Sequence, residues 1–559
     1  FHALAEDFPL LLVLDDLHWA DQTSIEFFTS LFAGLEGVPV FVLALARPSL
    51  DERLPEWDQT LRVLKTLRVS YQRLPLAPIS REDSLALVSQ ILQQAGALPP
   101  ALSALILFQA GGNPYYIEEI VKMLIEEKVI RPGEPDWAAS AGTALPSIRV
   151  PRSLEGVIQA RLDALAPEEK LTLQRAAIFP QEFWDDAVLR LDPEDPGIRR
   201  ALELLAQRGL IVPRAPSSFE AAHEFSFKHH ILRKATYETV LLKLRKQYHQ
   251  QAAQWLEEHA GERLSEYQGK IAEHYERAGC NDKAAECLLQ MCVAAYKMGV
   301  FPPALAAVER ALRLTAEDDL PRRIPVIYWL AQVQEKMGQF VQARENDQWV
   351  IQQGQSAPGM LTYAAQAAQA LSWVLSVQGK MDEAKACAED AYRWAGQLQD
   401  EVLLARTRAQ RMNFLDLPPE EYRAEIYAVL REFEALGLKP FMAVTWLNIG
   451  IFEFTQCNHA AAGEAYQNGL DIYRQIGHKW GEANCYGNLG LVLRQQGDLQ
   501  GALQHQQEYR RIALEIGDQE GVAISGANRG HIWLELASPD LALAFLQEVV
   551  TTLSTQNKA

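Results

Sequence analysis

Residues 10–21 read LLLVLDDLHWAD, and this stretch decides how the first part of the chain folds. Its five apolar residues, Leu10 to Leu14, follow a proline and stop at Asp15 and Asp16. So short an apolar run between breakers predicts a strand that is buried on both faces of a parallel sheet. The two carboxylates then emerge at the carboxyl end of the strand, where open α/β sheets bind their ligands.

This arrangement resembles the Walker B element of a P-loop NTPase. The continuation HWAD at residues 18–21 narrows the resemblance to the STAND class of AAA-related signalling ATPases. The resemblance implies that Asp15 helps to hold Mg²⁺, directly or through water, and that Asp16 orients the attacking water. Two Asp residues after an apolar run also fit a helix cap or a turn. The HWAD continuation favours the nucleotide interpretation.

A second buried strand is predicted over residues 38–46 and a third over residues 69–74. Arg47 follows the second strand, at the position where related ATPases place a polar sensor residue near the terminal phosphate. A surface ion pair of Arg47 with Asp51 or Glu52 fits the sequence equally well. Both interpretations stay open.

From Ser80 the pattern becomes helical. Ser80 and Asp83 have the spacing of an N-terminal capping box, with Asp in place of the usual Glu. A second helix over residues 101–110 ends at two glycines, and GGNPYYIEEI follows at residues 111–120. The sequence therefore predicts a small group of helices after the strands.

The triplet Gly112, Asn113 and Pro114 resembles the GxP element of STAND proteins, which implies a place near the adenine of the nucleotide. The Tyr-Tyr-x-Glu-Glu that follows is similar to the family pattern GNP-aromatic-x-x-Glu. The same residues fit a helix C-cap, a turn and a proline that begins the next helix. Both interpretations can hold at once, and the family pattern favours a binding role.

Residues 146–262 resemble the winged-helix domain that follows the ATPase core in this family. Within FKHHILRKATY, at residues 227–237, His229 matches the histidine that STAND proteins direct at the bound diphosphate. A hydrogen-bonded structural histidine is the alternative, and both roles stay open. Three basic residues fit a solvated helix face better than a DNA-binding surface, because the chain as a whole is acidic. They are Lys243, Arg245 and Lys246.

The remainder of the chain is repetitive, with a period of forty residues that is marked by Gly437, Gly477 and Gly517. Within each unit a small residue is followed seven positions later by another, and five positions after that by an alanine. The copies are Gly450-Cys457-Ala462, Gly490-Gly497-Ala502 and Gly530-Ala537-Ala542, with weaker copies Ala331-Gly338-Ala343 and Ser372-Gly379-Ala384. The pattern resembles the tetratricopeptide repeat and predicts pairs of closely packed antiparallel helices, with a divergent copy around residues 412–414.

Composition limits the function classes. The chain has 559 residues, 48% of them apolar, and a formal net charge of −19, which argues against a large phosphate-binding surface. The six cysteines form no CxxC pair and are typical of core residues in a reducing cytosol. No apolar run approaches the roughly 18 residues that span a bilayer. The sequence contains no GxxxxGK[ST] and begins at Phe1, about ten residues before the Walker B-like strand, so we expect a chain truncated before its Walker A loop.

We therefore predict a mainly α fold. A partial P-loop α/β core occupies residues 1–78, a helical lid residues 79–145, a winged helix residues 146–262, and an α-solenoid of tetratricopeptide-like repeats residues 263–559. The resemblance implies a cytoplasmic ATPase for signal transduction or transcriptional regulation, with ATP or ADP and Mg²⁺ as cofactors. This chain alone is predicted not to hydrolyse ATP, because the phosphate-binding loop is missing from it.

The predicted partner of the array is a protein, a peptide or a small-molecule inducer, and the family also implies self-association that depends on nucleotide. We expect neither a membrane nor DNA to bind this segment. The alternative is a non-catalytic tetratricopeptide scaffold with a degenerate NTPase core. A third, weaker interpretation is a DNA-binding AAA-type ATPase.

Overall fold

The computed structural model describes most of the chain in two compact units, Phe1–Cys280 and Asn281–Ala559. The continuous ranges are 8–15, 38–47, 71–92, 99–130, 150–220, 222–516 and 518–543. Single described positions are 5, 17, 20, 24, 25, 27, 28, 31, 50, 57, 61, 62, 64, 65 and 545.

The first unit begins with two strands, β1 (Leu10–Leu14) and β2 (Val40–Ala44). They pair in parallel, with Leu10 opposite Val40 and Leu14 opposite Ala44. Both predicted strands and their parallel arrangement are therefore confirmed.

The predicted burial of β1 on both faces is wrong. Leu11 is 65% exposed and Val13 is 50% exposed, whereas Leu14 packs beside a small core of Leu17 and Ile25. Successive side chains of a strand point to opposite faces. The structure thus covers one face of the strand and leaves the other open.

The third predicted strand, residues 69–74, is not formed in its described part. Pro75 and Pro78 follow it, and proline has no N–H group to donate to a sheet. Leu74 and Leu76 are 69% and 91% exposed, as expected of a segment that joins no sheet.

Three helices follow, α1 (Arg81–Leu92), α2 (Pro100–Ala110) and α3 (Pro114–Glu126). The predicted cap of α1 is confirmed, because Ser80 Oγ accepts the N–H of Asp83 at 3.0 Å and donates to its carboxylate at 2.7 Å. The helices share an apolar core. Its fully buried members include Leu102, Ile106, Ile117, Ile120 and Leu124.

The rest of the first unit alternates helices with a small antiparallel sheet, in which the strand of residues 224–227 lies between the strands of residues 182–184 and 211–214. Its elements are α4 (Leu154–Asp163), α5 (Pro167–Ala176), β3 (Glu182–Trp184), α6 (Asp185–Leu191), α7 (Ile198–Gln207), β4 (Ile211–Arg214), β5 (Glu224–Phe227), α8 (His230–Thr239), α9 (Leu242–Ala260) and α10 (Leu264–Ala278). Trp184 and Trp255 stack in its core with ring centroids 5.3 Å apart, and both are almost fully buried.

The second unit consists of helices throughout its described part. They are α11 (Asn281–Lys297), α12 (Phe301–Leu314), α13 (Leu320–Lys336), α14 (Phe340–Gly354), α15 (Leu361–Val377), α16 (Met381–Leu398), α17 (Glu401–Met412), α18 (Pro419–Ala435), α19 (Lys439–Thr455), α20 (His459–Gln475), α21 (Lys479–Gln495), α22 (Leu499–Glu515) and α23 (Gln519–Glu535). The shortest of these helices is α17, which ends at Met412, where the predicted divergent copy begins.

The repeated sequence pattern has a clear structural meaning. The alanines at its third position are all buried, with 0% or 1% exposure. The middle position forms the turn between the two helices of a unit, and its φ is positive in every copy. The values are +74° at Gly338, +75° at Gly379, +60° at Cys457, +85° at Gly497 and +55° at Ala537. Small residues recur there because a left-handed backbone disfavours bulky side chains.

The first position of the pattern lies where two helices touch. A Cβ atom at Gly450 would lie 2.4 Å from the ring of Tyr466, so no larger residue fits without movement. A Cβ atom at Gly490 would likewise lie 2.7 Å from Nε2 of Gln506. The prediction of a mainly α fold that ends in a helical-repeat solenoid is confirmed. Gly517, one of the three glycines that mark the period, lies outside the described residues.

The compact units divide after Cys280, whereas the sequence places its last domain boundary between residues 262 and 263. Helix α10 packs against α9 within the first unit. Within the described ranges, no helix is both long enough and apolar enough to cross a bilayer.

Candidate functional site

Asp15 and Arg47 lie at the same edge of the β1–β2 sheet, because parallel strands end on one side. The N–H of Leu45 donates to the carbonyl oxygen of Leu14 at 2.8 Å, which keeps the two strand ends together. The side chains of Asp15 and Arg47 are both exposed. Asp16, the second predicted catalytic carboxylate, lies outside the described residues.

The Gly-Asn-Pro segment forms the turn between α2 and α3. Gly112 has a φ of +77°, and a Cβ atom there would lie 2.6 Å from the carbonyl oxygen of Ile79. Asn113 caps α3, since its side-chain oxygen accepts the N–H of Tyr116 at 3.2 Å, and Pro114 is the first helical residue. The turn interpretation is confirmed. The role of these residues in binding adenine stays a prediction.

His229 lies between β5 and α8 and packs against Tyr115 of α3, with ring centroids 3.8 Å apart. Its Nε2 atom is buried and has no hydrogen-bond partner. Burial lowers the pKa of His229, so the ring is neutral at pH 7. The adjacent His230 is exposed, and its Nε2 lies 3.5 Å from Nη2 of Arg47. The structure thus brings Arg47, the start of α3 and His229 into one neighbourhood.

A cluster of charges joins α3 to the segment before His229. Glu118 accepts a hydrogen bond from Lys122 at 2.6 Å and a short one from Lys228. Burial opposes ionisation of Glu118, but the hydrogen bonds from the two lysines outweigh it and hold its pKa at about 2. This carboxylate is therefore charged at every physiological pH.

A second cluster joins α3 to α4. Arg161 is almost fully buried and donates to Glu119 at 2.6 Å and to Glu126 at 2.7 Å. A buried guanidinium flanked by two carboxylates holds helices in a fixed orientation. Of these residues, only Glu119 belongs to the Tyr-Tyr-x-Glu-Glu stretch that follows Pro114 in the sequence. No local signal points to Arg161 or Lys228, because only the fold brings them to α3.

A buried histidine pair links α8, α9 and α10. Nδ1 of His249 lies 2.8 Å from Nδ1 of His274, and the hydroxyl of Tyr237 lies 2.9 Å from Nε2 of His249. Burial lowers the pKa of His249 to about 3, and burial together with His249 lowers that of His274 well below its ordinary value. Both rings are therefore neutral at pH 7. The two histidines are too far apart in sequence to suggest a pair.

The second unit contains a buried carboxyl group. Asp347 of α14 is 0% exposed, and neither of its carboxylate oxygens has a hydrogen-bond partner. Burial, helped by the charge of Glu335, raises the pKa of Asp347 well above its ordinary value. An unpartnered buried carboxyl group is unfavourable when it is ionised.

Apolar side chains are exposed on several first helices of the repeats. Val444 and Ile451 of α19 are 46% and 45% exposed, and they are one heptad apart on one face. Ile524 of α23, two periods after Val444, is 44% exposed. Among the described residues there is no group of three or more side chains that could hold a metal ion.

Comparison with known proteins places these features in context. Residues 441–515 match the tetratricopeptide repeat family. An uncharacterized protein from Rhizobium meliloti (strain 1021) is 25% identical over 280 residues, which are 49% of this chain. The chain spans about a quarter of that relative's length, 25%.

A solved structure of similar fold is that of a Signal Transduction ATPase with Numerous Domains (STAND) protein with a tetratricopeptide repeat sensor from Pyrococcus horikoshii. The TM-score is 0.60 at 13% identity, and the match covers 96% of this chain and 77% of that one. The likeness concerns the fold of both units. The family match confirms the predicted repeats.

Proposed function

We propose that this chain is the switch and sensor part of a STAND-type signalling ATPase, in which nucleotide binds the first unit and a regulator binds the repeats. The observation that carries the proposal is the meeting of three distant stretches in the first unit. Arg47 lies beside His230, Asn113 caps α3, and His229 packs on Tyr115 of that same helix. These are the stretches that resemble the family's nucleotide-binding elements.

The described residues fit a bound diphosphate. The buried Nε2 of His229 lacks a partner, and a phosphate oxygen is a suitable acceptor for a buried N–H group. Asp15 would hold Mg²⁺ directly or through water, and Arg47 would neutralise charge at the terminal phosphate. When bound, the Mg-nucleotide supplies the phosphoanhydride bond that is hydrolysed. Asp16 would orient the attacking water.

The first test concerns affinity. In P-loop proteins, backbone N–H groups and a lysine of the GxxxxGK[ST] loop hold the phosphates. Charge-assisted hydrogen bonds contribute roughly 1.5–3 kcal/mol each, so losing about three removes on the order of 4–9 kcal/mol. A site of about micromolar affinity, about −8 kcal/mol, would become millimolar or weaker.

Titration calorimetry with Mg-ATP should therefore find no tight binding to these 559 residues. A longer chain that supplies a GxxxxGK[ST] loop should bind and hydrolyse ATP, and Asp16→Asn in it should reduce hydrolysis more than binding. Micromolar binding of Mg-ATP by the 559 residues alone would mean that the phosphate site lies elsewhere.

The second test concerns His229. A residue that contacts the diphosphate stabilises the ADP-bound resting state. In the longer chain that supplies the GxxxxGK[ST] loop, His229→Ala should therefore speed the release of ADP. The exposed His531 is a matched control, and His531→Ala should leave the release rate unchanged. Unchanged release with a lower melting temperature in His229→Ala would assign His229 a structural role only.

We further propose that a protein or peptide regulator binds the repeats. Helical repeats present extended surfaces, and the exposed aliphatic residues of α19 and α23 are of the kind that partners cover. Deleting residues 281–559, which leaves α10 in the first unit, should abolish capture of a partner and change the activity of the first unit. If neither changes, the repeats are not the sensor.

The alternative is a non-catalytic scaffold with a degenerate NTPase core. Under that alternative, a longer chain would also fail to bind Mg-ATP while the repeats would still capture their partner. The calorimetry described above separates the two functions. A DNA-binding function is disfavoured by the net charge of −19.

A further inference from the structure

Lys228 and His229 are consecutive residues, and both are attached to α3. Lys228 donates to the carboxylate of Glu118, and the ring of His229 packs on Tyr115 at 3.8 Å. Tyr115 and Glu118 are three residues apart, so they lie on one face of α3. The backbone N–H of Lys228 also donates to the carbonyl oxygen of Leu210 at 3.1 Å.

The hydrogen bond to Leu210 and the start of α8 hold the backbone of this segment, so the side-chain contacts of Lys228 and His229 decide where the imidazole lies. The ring contact alone would allow the His229 imidazole to swing away from Tyr115. The hydrogen bond from Lys228 to Glu118 prevents this swing, because it holds the preceding residue one helical turn further along α3.

We propose that Glu118 is the positioning residue of His229, which it holds against Tyr115 through Lys228. Glu118 itself does not touch the imidazole site. Its effect on nucleotide sensing rests on the function proposed above, but its effect on the placement of His229 does not. Since Glu118 stays ionised across the physiological pH range, a change of pH within that range does not remove its attraction for Lys228.

The pKa of His229 in Glu118→Gln distinguishes a positioning role of Glu118 from a simple effect of its charge. Burial is the main cause of the lowered pKa of His229, Glu118 and Glu119 raise it, and Lys122 and Lys228 lower it. If Glu118 acted by its charge alone, Glu118→Gln would lower the pKa of His229 further. If Glu118 positions the ring, Glu118→Gln lets it become solvated, and its pKa rises toward the ordinary value of 6.5.

The experiment is a pH titration of the whole chain by NMR, with ¹³C-labelled histidine. The chain has 12 histidines, and His229→Gln assigns the signal of interest. In Glu118→Gln we expect the midpoint of that signal to rise by about 0.5–1 pH unit. The ring-current shift caused by the Tyr115 ring should disappear in the same variant.

Two further variants complete the test. Lys228→Met should abolish the ring-current shift as Glu118→Gln does, and combining the two should add nothing further. Lys122→Met is the matched control, because it removes the other lysine from Glu118 but leaves the bond to Lys228. It should keep the ring-current shift. If Glu118→Gln does not fold, Lys228→Met, which leaves α3 unchanged, decides the matter.

A retained ring-current shift in Glu118→Gln or Lys228→Met overturns the proposal, as does a lowered midpoint in Glu118→Gln. In the nucleotide-binding protein, Glu118→Gln should also speed ADP release to about the rate of His229→Ala. If the NMR result holds and ADP release is unchanged in both variants, the positioning role stands and the diphosphate-sensing function fails.

Discussion

Acidification from pH 7 to pH 5 should destabilise the first unit through the buried pair His249 and His274. A hydrogen bond between two Nδ1 atoms needs one donor and one acceptor, so the 2.8 Å contact cannot persist when both rings are protonated. Both residues are nearly inaccessible to solvent, at 0% and 3% exposure. The charges of Arg277 and other nearby arginines further disfavour a second positive charge there.

The size of the effect follows from linkage. The pKa of His249 is about 3 in the folded chain and near 6.5 when the chain unfolds, and that of His274 is also strongly lowered. Between these values only the unfolded state binds the protons. The stability is therefore complete above pH 6.5 and is lost as the pH falls. At pH 5 His249 alone should remove about 2 kcal/mol, and His274, whose pKa is lowered too, adds to the loss in the same direction.

The assay is urea unfolding at pH 7 and pH 5, followed by pulse proteolysis and mass-spectrometric detection of peptides from residues 242–278. Glu118, with a pKa of about 2, stays ionised across this window. The double variant His249→Phe, His274→Leu should lose most of the pH dependence. If it loses as much stability between pH 7 and pH 5 as the unaltered chain, the pair is not the cause.

Three further changes have definite expected outcomes. Gly450→Ala should destabilise the second unit by about 1–3 kcal/mol, because its Cβ would lie 2.4 Å from the Tyr466 ring. Gly463→Ala is the control, because its Cβ would meet nothing closer than 3.6 Å, and it should stabilise the second unit by up to about 1 kcal/mol. Urea unfolding measures both changes. Asp347→Asn should raise the melting temperature more at pH 7 than at pH 4, since a carboxyl with a raised pKa weakens the fold increasingly as the pH rises; an equal gain at both pH values would refute this. Arg161→Met should cost about 3–5 kcal/mol in the same unfolding assay, because it leaves two glutamates without their partner; a loss below about 1 kcal/mol would contradict the argument.

Features that depend on nearby residues could be predicted from the sequence. The Ser80 cap, the turn at Gly112 and the recurring small residues of the repeats all have local causes, and the structure contains each of them. The parallel pairing of β1 and β2 also followed from the composition and boundaries of two apolar runs.

Features that depend on what covers a surface could not be predicted. An apolar run does not reveal how many of its faces are covered, so Val13 was expected to be buried and is half exposed. The attachments of Glu118 to Lys228 and of Arg161 to α3 join residues far apart in the chain. No periodicity links such partners, and only the folded backbone brings them together.

The repeat period has a consequence for how this protein can change over evolutionary time. Helices of the second unit mainly contact helices of the same repeat and of the adjoining repeats. The turn and the buried alanine recur in each copy of the pattern. Duplicating or deleting one whole repeat by recombination would therefore keep the turns and the buried alanines in register, whereas a shorter change would misalign them. The reach of the array can lengthen or shorten by whole units while the first unit keeps its sequence, so what the protein detects can diversify independently of how it responds.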